Sequence, residues 1–402
     1  GGLYDLANTK DLLFCYKCAK RVGFIALEER VLEILPEEER EDILERTPQQ
    51  AENFSGSECG LGIIIKNQVD RGFVKWASFI RDTEEEKLLG HIRDILGKLK
   101  KEKYANYTRY VEYYNKYPFW GSLQPKNRDY GTLEKRAHML KTHLEDLVWL
   151  YQRLEDYSSK EALLAICRCW TDLDVQLLGK VKAGGAQYFD LDLVPSARDE
   201  VFVDVGAYIG DTVVSLLRTY GMDYGKIYAY EADEKNARYL ERNVSQFPRV
   251  RICRKGVGSE PGWMQFTQAE ESSSSHFEQR AEGMPAGQDM RETEEMEGTE
   301  GRTEIVSLDE DIQEPVTWIK MDIEGMEYEA LLGSRKHITR DQPKLSISVY
   351  HGYDDIWRIP RLIDSMNPSY KFYLRYYGGN LIPTEIVLTA LPGEVQPCSG
   401  IP

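Results

Sequence analysis

The sequence predicts an α/β protein in two parts, an all-α N-terminal region followed by an open parallel sheet flanked by helices. Three observations predict it. Across 402 residues, hydrophobic side chains make up 42% and charged ones 29%, ordinary globular values that exclude wholesale disorder and rod-like chains. From Leu12 to about Lys182 apolar residues recur at spacings of three and four, the period of a helix. Beyond Gly184 and Gly185 short β-branched runs alternate with helical stretches, as in a parallel sheet with crossover helices.

In chain order, residues 1–80 form a helical segment without an assigned role, and Glu28 to Arg46 is its clearest amphipathic stretch. Thr47 to Gly60, carrying Pro48, Ser55, Gly56 and Gly60, has the composition of a linker. The helices are expected to divide there or near Ile80. Residues 81–183 form a second helical region, a substrate cap or an oligomerisation surface. Glu84 to Tyr117 is one charged helical stretch, in which Tyr104, Tyr107, Tyr110, Tyr114 and Tyr117 share a face, followed by Phe119 and Trp120. Such a stripe packs on neighbouring helices or a second copy of the chain, which leaves a homo-oligomer open, or stacks on sugar rings or bases. Ser158 and Glu161 fit a capping box ahead of Ala162 to Trp170. Tyr151 to Lys182 is expected to cover an acceptor pocket.

In residues 184–402 the predicted strands are Val201 to Val205, Ile227 to Tyr230, Val250 to Cys253, Val316 to Met321, Leu345 to Tyr350, Phe372 to Tyr376 and Glu385 to Thr389. Between the third and fourth lies an insertion near 267–302, where Gln268 to Arg302 holds ten acidic and three basic residues. It reads as a solvated insertion, with Ser272 to Ser275 as an alternative substrate-facing turn.

The formal charge is -16. That balance offers no bulk attraction for nucleic acid or an anionic membrane, and no apolar run approaches the roughly 18 residues of a membrane span. Seven cysteines without regular spacing describe reduced thiols rather than a disulfide framework. Cys15 with Cys18 and Cys167 with Cys169 lack the second pair that a structural zinc site uses. A cytoplasmic setting is the expectation. The chain begins Gly1-Gly2 without a leader segment, as a fragment or a processed protein would.

The most specific local pattern runs from Val201 to Thr212: a buried strand, a turn carrying Gly206 and Gly210, then an amphipathic helix. Glycines let a ligand approach the backbone, and the helix start offers unpaired amides. A dinucleotide fingerprint wants a second glycine where Tyr208 stands, and Asp211 opposes a pyrophosphate. NAD-linked oxidoreduction is therefore disfavoured. A nucleoside with a cationic end suits Asp204, and Glu231, after the next strand, is placed to accept two ribose hydroxyls. The alternative is a doubly wound domain whose strand-end acids merely cap helices.

These residues resemble the class I S-adenosylmethionine-dependent methyltransferases. Further segments narrow the resemblance to the FkbM family: Thr317 to Glu327 (TWIKMDIEGME), Pro343 to His351 (PKLSISVYH), Lys371 to Tyr377 (KFYLRYY) and the lead-in Gln187 to Asp190. It covers about residues 151–392, and departs from the family at Met326 and in the long acidic insertion. It implies a Rossmann-like, seven-stranded methyltransferase domain with its last strand antiparallel, S-adenosyl-L-methionine as cofactor, and methylation of a hydroxyl. Asp204, Gly206, Ala207, Tyr208, Gly210, Asp211, Thr212, Glu231 and Ala232 would line the cofactor, with Gly256 and Val257 near the adenine.

Ligands of open α/β sheets sit beyond the carboxyl ends of the strands, where Asp322, Glu324 and His351 fall. Asp322 and Glu324 could face the acceptor or share a divalent cation, and Glu324 could instead cap the next helix. His351 is the candidate general base, or a loop residue held by hydrogen bonds. Arg375 and Lys320 could orient an anionic substrate or snorkel from the sheet. The expected substrate is a small molecule or glycan, with a saccharide or glycoconjugate hydroxyl as acceptor. The alternatives are a peptide or small natural product as acceptor, or a non-catalytic cofactor-binding interaction module.

Overall fold

A computed structural model of the chain describes residues 61–116, 123, 131–267, 276–277, 302–379 and 382–393. The expectations for Glu28 to Arg46, Cys15 and Cys18, the linker, Tyr117 to Trp120 and Ser272 to Ser275 lie outside these residues. Every described helix and strand from Gln68 onward belongs to one compact unit.

Seven helices come first: α1 (Gln68–Asp82), α2 (Glu85–Glu102), α3 (Tyr104–Lys116), α4 (Thr132–Thr142), α5 (Leu144–Arg153), α6 (Tyr157–Asp172) and α7 (Val175–Lys180). Ile80, offered as a dividing point, lies inside α1. Asn67 caps α1 through a capping box with Asp70. The single stretch expected from Glu84 to Tyr117 is two helices, broken where Lys103 leaves helical geometry. Ser158 does not cap α6. Asp156 does, its carboxylate accepting from the Ser159 amide at 2.8 Å, because Ser158 is already within the first helical turn.

The sheet then forms from β1 (Val201–Val205), β2 (Lys226–Tyr230), β3 (Val250–Cys253), β8 (Trp318–Met321), β9 (Lys344–Ser348), β10 (Lys371–Tyr376) and β11 (Ile386–Leu391). Its order is β10-β11-β9-β8-β1-β2-β3. β11 pairs antiparallel with both β9 and β10, and every other pairing is parallel. All seven expected strands are present, with ends shifted by two residues at most. The crossover helices are α8 (Asp211–Tyr220), α9 (Glu234–Val244), α10 (Leu308–Asp311), α11 (Glu327–Leu332), α12 (Arg335–Arg340) and α13 (Asp355–Met366). The central strands are buried on both faces, which explains their continuous apolar runs.

A small second sheet was not expected. β4 (Gly256–Val257) pairs with β7 (Arg302–Val306), which pairs antiparallel with β5 (Gly262–Thr267), and β5 pairs with β6 (His276–Phe277). The acidic insertion thus leaves and returns through neighbouring strands.

The helical region closes one edge of the large sheet. At β10, the Phe372 carbonyl accepts from the Glu155 amide at 3.0 Å, and the Tyr376 carbonyl accepts from the Ala183 amide at 2.8 Å. The Leu374 amide donates to Ser159 Oγ at 2.9 Å. Tyr151 to Lys182, expected over an acceptor pocket, therefore runs along this edge. Two apolar clusters cover the sheet: one joins α1 and α4–α6 to Val203, Met321, Ile347 and Phe372, the other packs Phe189, Phe202, Leu216 and Trp318. Cys167, Cys169 and Cys253 are buried free thiols, and burial pushes Cys169 up to about 12.

Candidate functional site

A cleft of about 470 Å³ opens beyond the carboxyl ends of β1, β2, β8 and β9, within the roughly 300–1,000 Å³ usual for small-molecule sites. Its floor is the glycine turn after β1. The Gly206 and Ala207 amides donate to the Tyr230 carbonyl at 3.0 and 2.9 Å. Gly206 has φ +80°, and a Cβ there would stand 2.0 Å from the Asp322 carbonyl oxygen. Only glycine fits, so the turn presses directly against the end of β8.

Of the residues expected around the cofactor, Gly206, Tyr208, Asp211, Thr212, Glu231, Ala232, Gly256 and Val257 line the cleft. Ala207 is buried beneath it. Gly210 packs against Leu240 and Val244 of α9. The Glu231 carboxylate accepts from the Tyr208 amide and from the Asp233 amide, both at 2.8 Å. Burial pushes its pKa up to about 7, against the pull of those two amides.

Asp204 was expected to meet the ligand's cation, and it does not reach the cleft. It is fully buried, 2.9 Å from Lys320 Nζ. Lys320 also donates to the Gly206 carbonyl at 2.8 Å. Lys320 also lines the cleft, and it is paired with Asp204 because β8 lies beside β1 and the register sets the two residues opposite each other. Arg375 is likewise committed, to Asp156 at 2.7 Å and Asp190 at 2.9 Å, on the α6 side of the sheet.

Asp322, Glu324 and His351 do come together. His351 Nε2 lies 3.5 Å from Asp322 Oδ1 and 3.6 Å from Glu324 Oε2, while Nδ1 is 2.9 Å from Glu327 Oε1. Burial disfavours charge on the ring, yet Glu327, then Asp322 and Glu324, outweigh it and raise His351 to about 10. Those carboxylates favour the charged ring over the free base expected. Glu324 is pushed up to about 8 by burial, with Asp322, Glu327 and Glu385 acting in the same direction against His351. Glu327, not Glu324, serves the loop: its oxygens accept from the Ile323 and Gly325 amides at 2.8 and 3.0 Å.

The cleft holds residues that the sequence pattern does not single out for chemistry. Glu385 accepts from Gln187 Nε2 at 2.7 Å, and Tyr188 donates from its hydroxyl to Asp322 Oδ2 at 2.7 Å. Tyr350, Thr384, Lys255 and Tyr113 of α3 complete the wall. Four lining residues other than glycine, Tyr188, Tyr208, Glu324 and Glu385, have positive φ between 49° and 70°, strain that gathers at functional sites. In the tyrosine stripe, Tyr110 and Tyr114 are buried against Arg136, whereas Tyr104 is exposed.

Residues 204–378 match the sequence model of the methyltransferase FkbM domain. Among solved structures, the chain resembles methyltransferase FkbM from Methylobacillus flagellatus KT at 22% identity and a TM-score of 0.49. That match covers 63% of this chain and 61% of the other, so the chain spans about three fifths of that protein's length. An rRNA methylase from Streptococcus thermophilus aligns at 14% identity and TM-score 0.30, over 49% and 87% of the two chains. A Streptococcus mutans chain assigned as a methyltransferase and solved in complex with SAH aligns at 13% and 0.29, over 48% and 88%. No curated protein matches the sequence. Residues 204–378, under half of the chain, thus match the methyltransferase FkbM domain, and the seven-stranded sheet with flanking helices is the mixed α/β fold expected for it.

Proposed function

We propose that the protein transfers the methyl group of S-adenosyl-L-methionine to a hydroxyl of a saccharide or glycoconjugate. One observation carries this: the glycine turn that would take the cofactor touches the backbone of Asp322, whose side chain belongs to the opposite, carboxylate-rich wall. Cofactor side and acceptor side thus meet at one residue.

The residues suit a phosphate-free nucleoside. Asp211 and Glu231 give the cleft negative charge, and Glu231 is placed for the ribose hydroxyls. Asp204 acts from behind, as a positioning residue: it keeps Lys320 charged, and Lys320 holds the Gly206 carbonyl. When bound, the cofactor supplies an electrophilic methyl group on a cationic sulfur. The chain's own task is to align the acceptor oxygen and receive its proton.

Asp322, Glu324 and Glu385 form the wall suited to both tasks, with Tyr188 and Gln187 orienting two of the three carboxylates. Aromatic rings beside hydrogen-bonding carboxylates suit a sugar, and Tyr113 and Tyr350 provide them. Lys255 is engaged by Glu304 and Asp311, and Lys320 by Asp204. This leaves a neutral acceptor better served than an anionic one.

Asp322→Asn is expected to lower kcat by about 10² or more while SAH affinity, measured by calorimetry, stays within a few-fold. Wild-type turnover by that variant would remove Asp322 from the mechanism. Failure of wild-type protein to methylate any hydroxyl of a saccharide panel would remove the acceptor class.

A further inference from the structure

Around His351 the carboxylates are arranged in a way that methyl transfer alone does not require. Asp322, Glu327 and His351 each offer a ligand atom within 4.8 Å of the other two, and Glu324 reaches the same imidazole. The four groups differ in what they are already doing. Glu327 and His351 have side chains only 1% exposed and face each other at Nδ1. Both Glu327 oxygens are engaged by backbone amides as well. A buried carboxylate on Nδ1 holds the imidazole in a fixed orientation and directs Nε2 outward, the arrangement that supports metal-ligating histidines.

Nε2 then meets Asp322 Oδ1 at 3.5 Å and Glu324 Oε2 at 3.6 Å. These separations are too long for good hydrogen bonds. Each is close to the separation of two donors on one ion at about 2.1 Å. A second observation is independent of that spacing. Glu324 Oε2 is buried and accepts no hydrogen bond among the described residues, a cost that a cation would remove.

We propose that Asp322, Glu324 and His351 bind a divalent cation, with Glu327 as the positioning residue for the imidazole. Two carboxylates and one imidazole leave coordination positions open toward the cleft, where an acceptor oxygen could enter. That an ion there polarises the acceptor hydroxyl rests on the methyl-transfer reading; that it binds does not.

The test uses the full chain, treated with chelator and titrated with Mn²⁺ while free Mn²⁺ is followed by electron paramagnetic resonance. One ion per chain is expected, with pulsed spectra showing nitrogen modulation from a directly bound imidazole. Affinity is expected to fall at least tenfold in His351→Gln and Asp322→Asn, and to be unchanged in Glu260→Gln, an exposed acid away from the cleft wall. The nitrogen modulation needs only wild-type protein, so a variant that fails to fold does not blunt the test. Absence of stoichiometric binding, equal binding by all variants, or a bound ion without nitrogen modulation overturns the proposal. Calorimetry with SAH on the metal-free protein separates the two readings: SAH binding without Mn²⁺ binding sinks only the ion site, and Mn²⁺ binding without SAH binding sinks methyl transfer.

Discussion

Glu231 sits where burial and hydrogen bonding act in opposite directions. Burial wins and carries its pKa up to about 7. The effects on stability and on binding have opposite sign. For the empty protein, the raised pKa means that protonation favours the native state. This contribution to stability is present below the unfolded value of 4.5 and lost as pH rises through about 7. For the cofactor, only the ionised carboxylate offers acceptors to both ribose hydroxyls, so affinity should rise over the same range. If the protonated form does not bind, the ionised fraction makes SAH about tenfold tighter at pH 8 than at pH 6. Calorimetry across that interval measures it, and Glu231→Gln should bind weakly with no pH dependence. A flat wild-type profile would take Glu231 out of ribose recognition. The position of Glu231 was legible because a strand-end acid follows from the strand pattern. The pairing of Asp204 with Lys320 was not, since it depends on two strands 116 positions apart in sequence lying side by side. Glu385 and Tyr188 were hidden for the same reason, being brought to the cleft by long-range packing and by backbone angles that residue type does not announce.

The strands could be read as elements because each is a short β-branched run, and burial on both faces preserved that signal. Short caps and two-residue strands carry too little pattern to be read in this way. Ser158 with Glu161 mimics a capping box, but the chain enters α6 two residues earlier at Asp156. That residue does more than cap. Its carboxylate also meets Arg375 of β10 at 2.7 Å, and Arg375 has only 11% of its side chain exposed. Asp156→Ala therefore removes a cap, about 0.5–2 kcal/mol, and leaves a mostly buried guanidinium with Asp190 as its remaining carboxylate. A total loss of about 2–4 kcal/mol is expected in urea unfolding, since Asp156, with 31% of its side chain exposed, gives less than a fully buried partner would. A loss below about 1 kcal/mol would reduce the contact to an ordinary surface pair.

For the unit as a whole, the question is whether the methyltransferase domain could stand without the helices before it. The sheet ends at β10, an edge that in isolation would present unpaired backbone groups to other chains. Here the Glu155 amide, Ser159 Oγ and the Ala183 amide satisfy Phe372, Leu374 and Tyr376 in turn. Arg153 adds the Tyr370 carbonyl at 3.0 Å and Asp364 at 2.7 Å. The larger apolar cluster runs without interruption from Phe73 and Leu147 to Phe372 and Leu374, so cutting the chain at Gly184 would open an apolar face along with the edge. The composition break at Gly184 and Gly185, clear in the sequence, falls inside this shared packing. Residues 184–402 expressed alone should therefore be aggregation-prone and lack a cooperative thermal transition. Residues 59–402 should melt cooperatively and bind SAH. Light scattering and differential scanning calorimetry of the two fragments decide it, and a monomeric, cooperatively melting 184–402 fragment would show that the helices are an appendage.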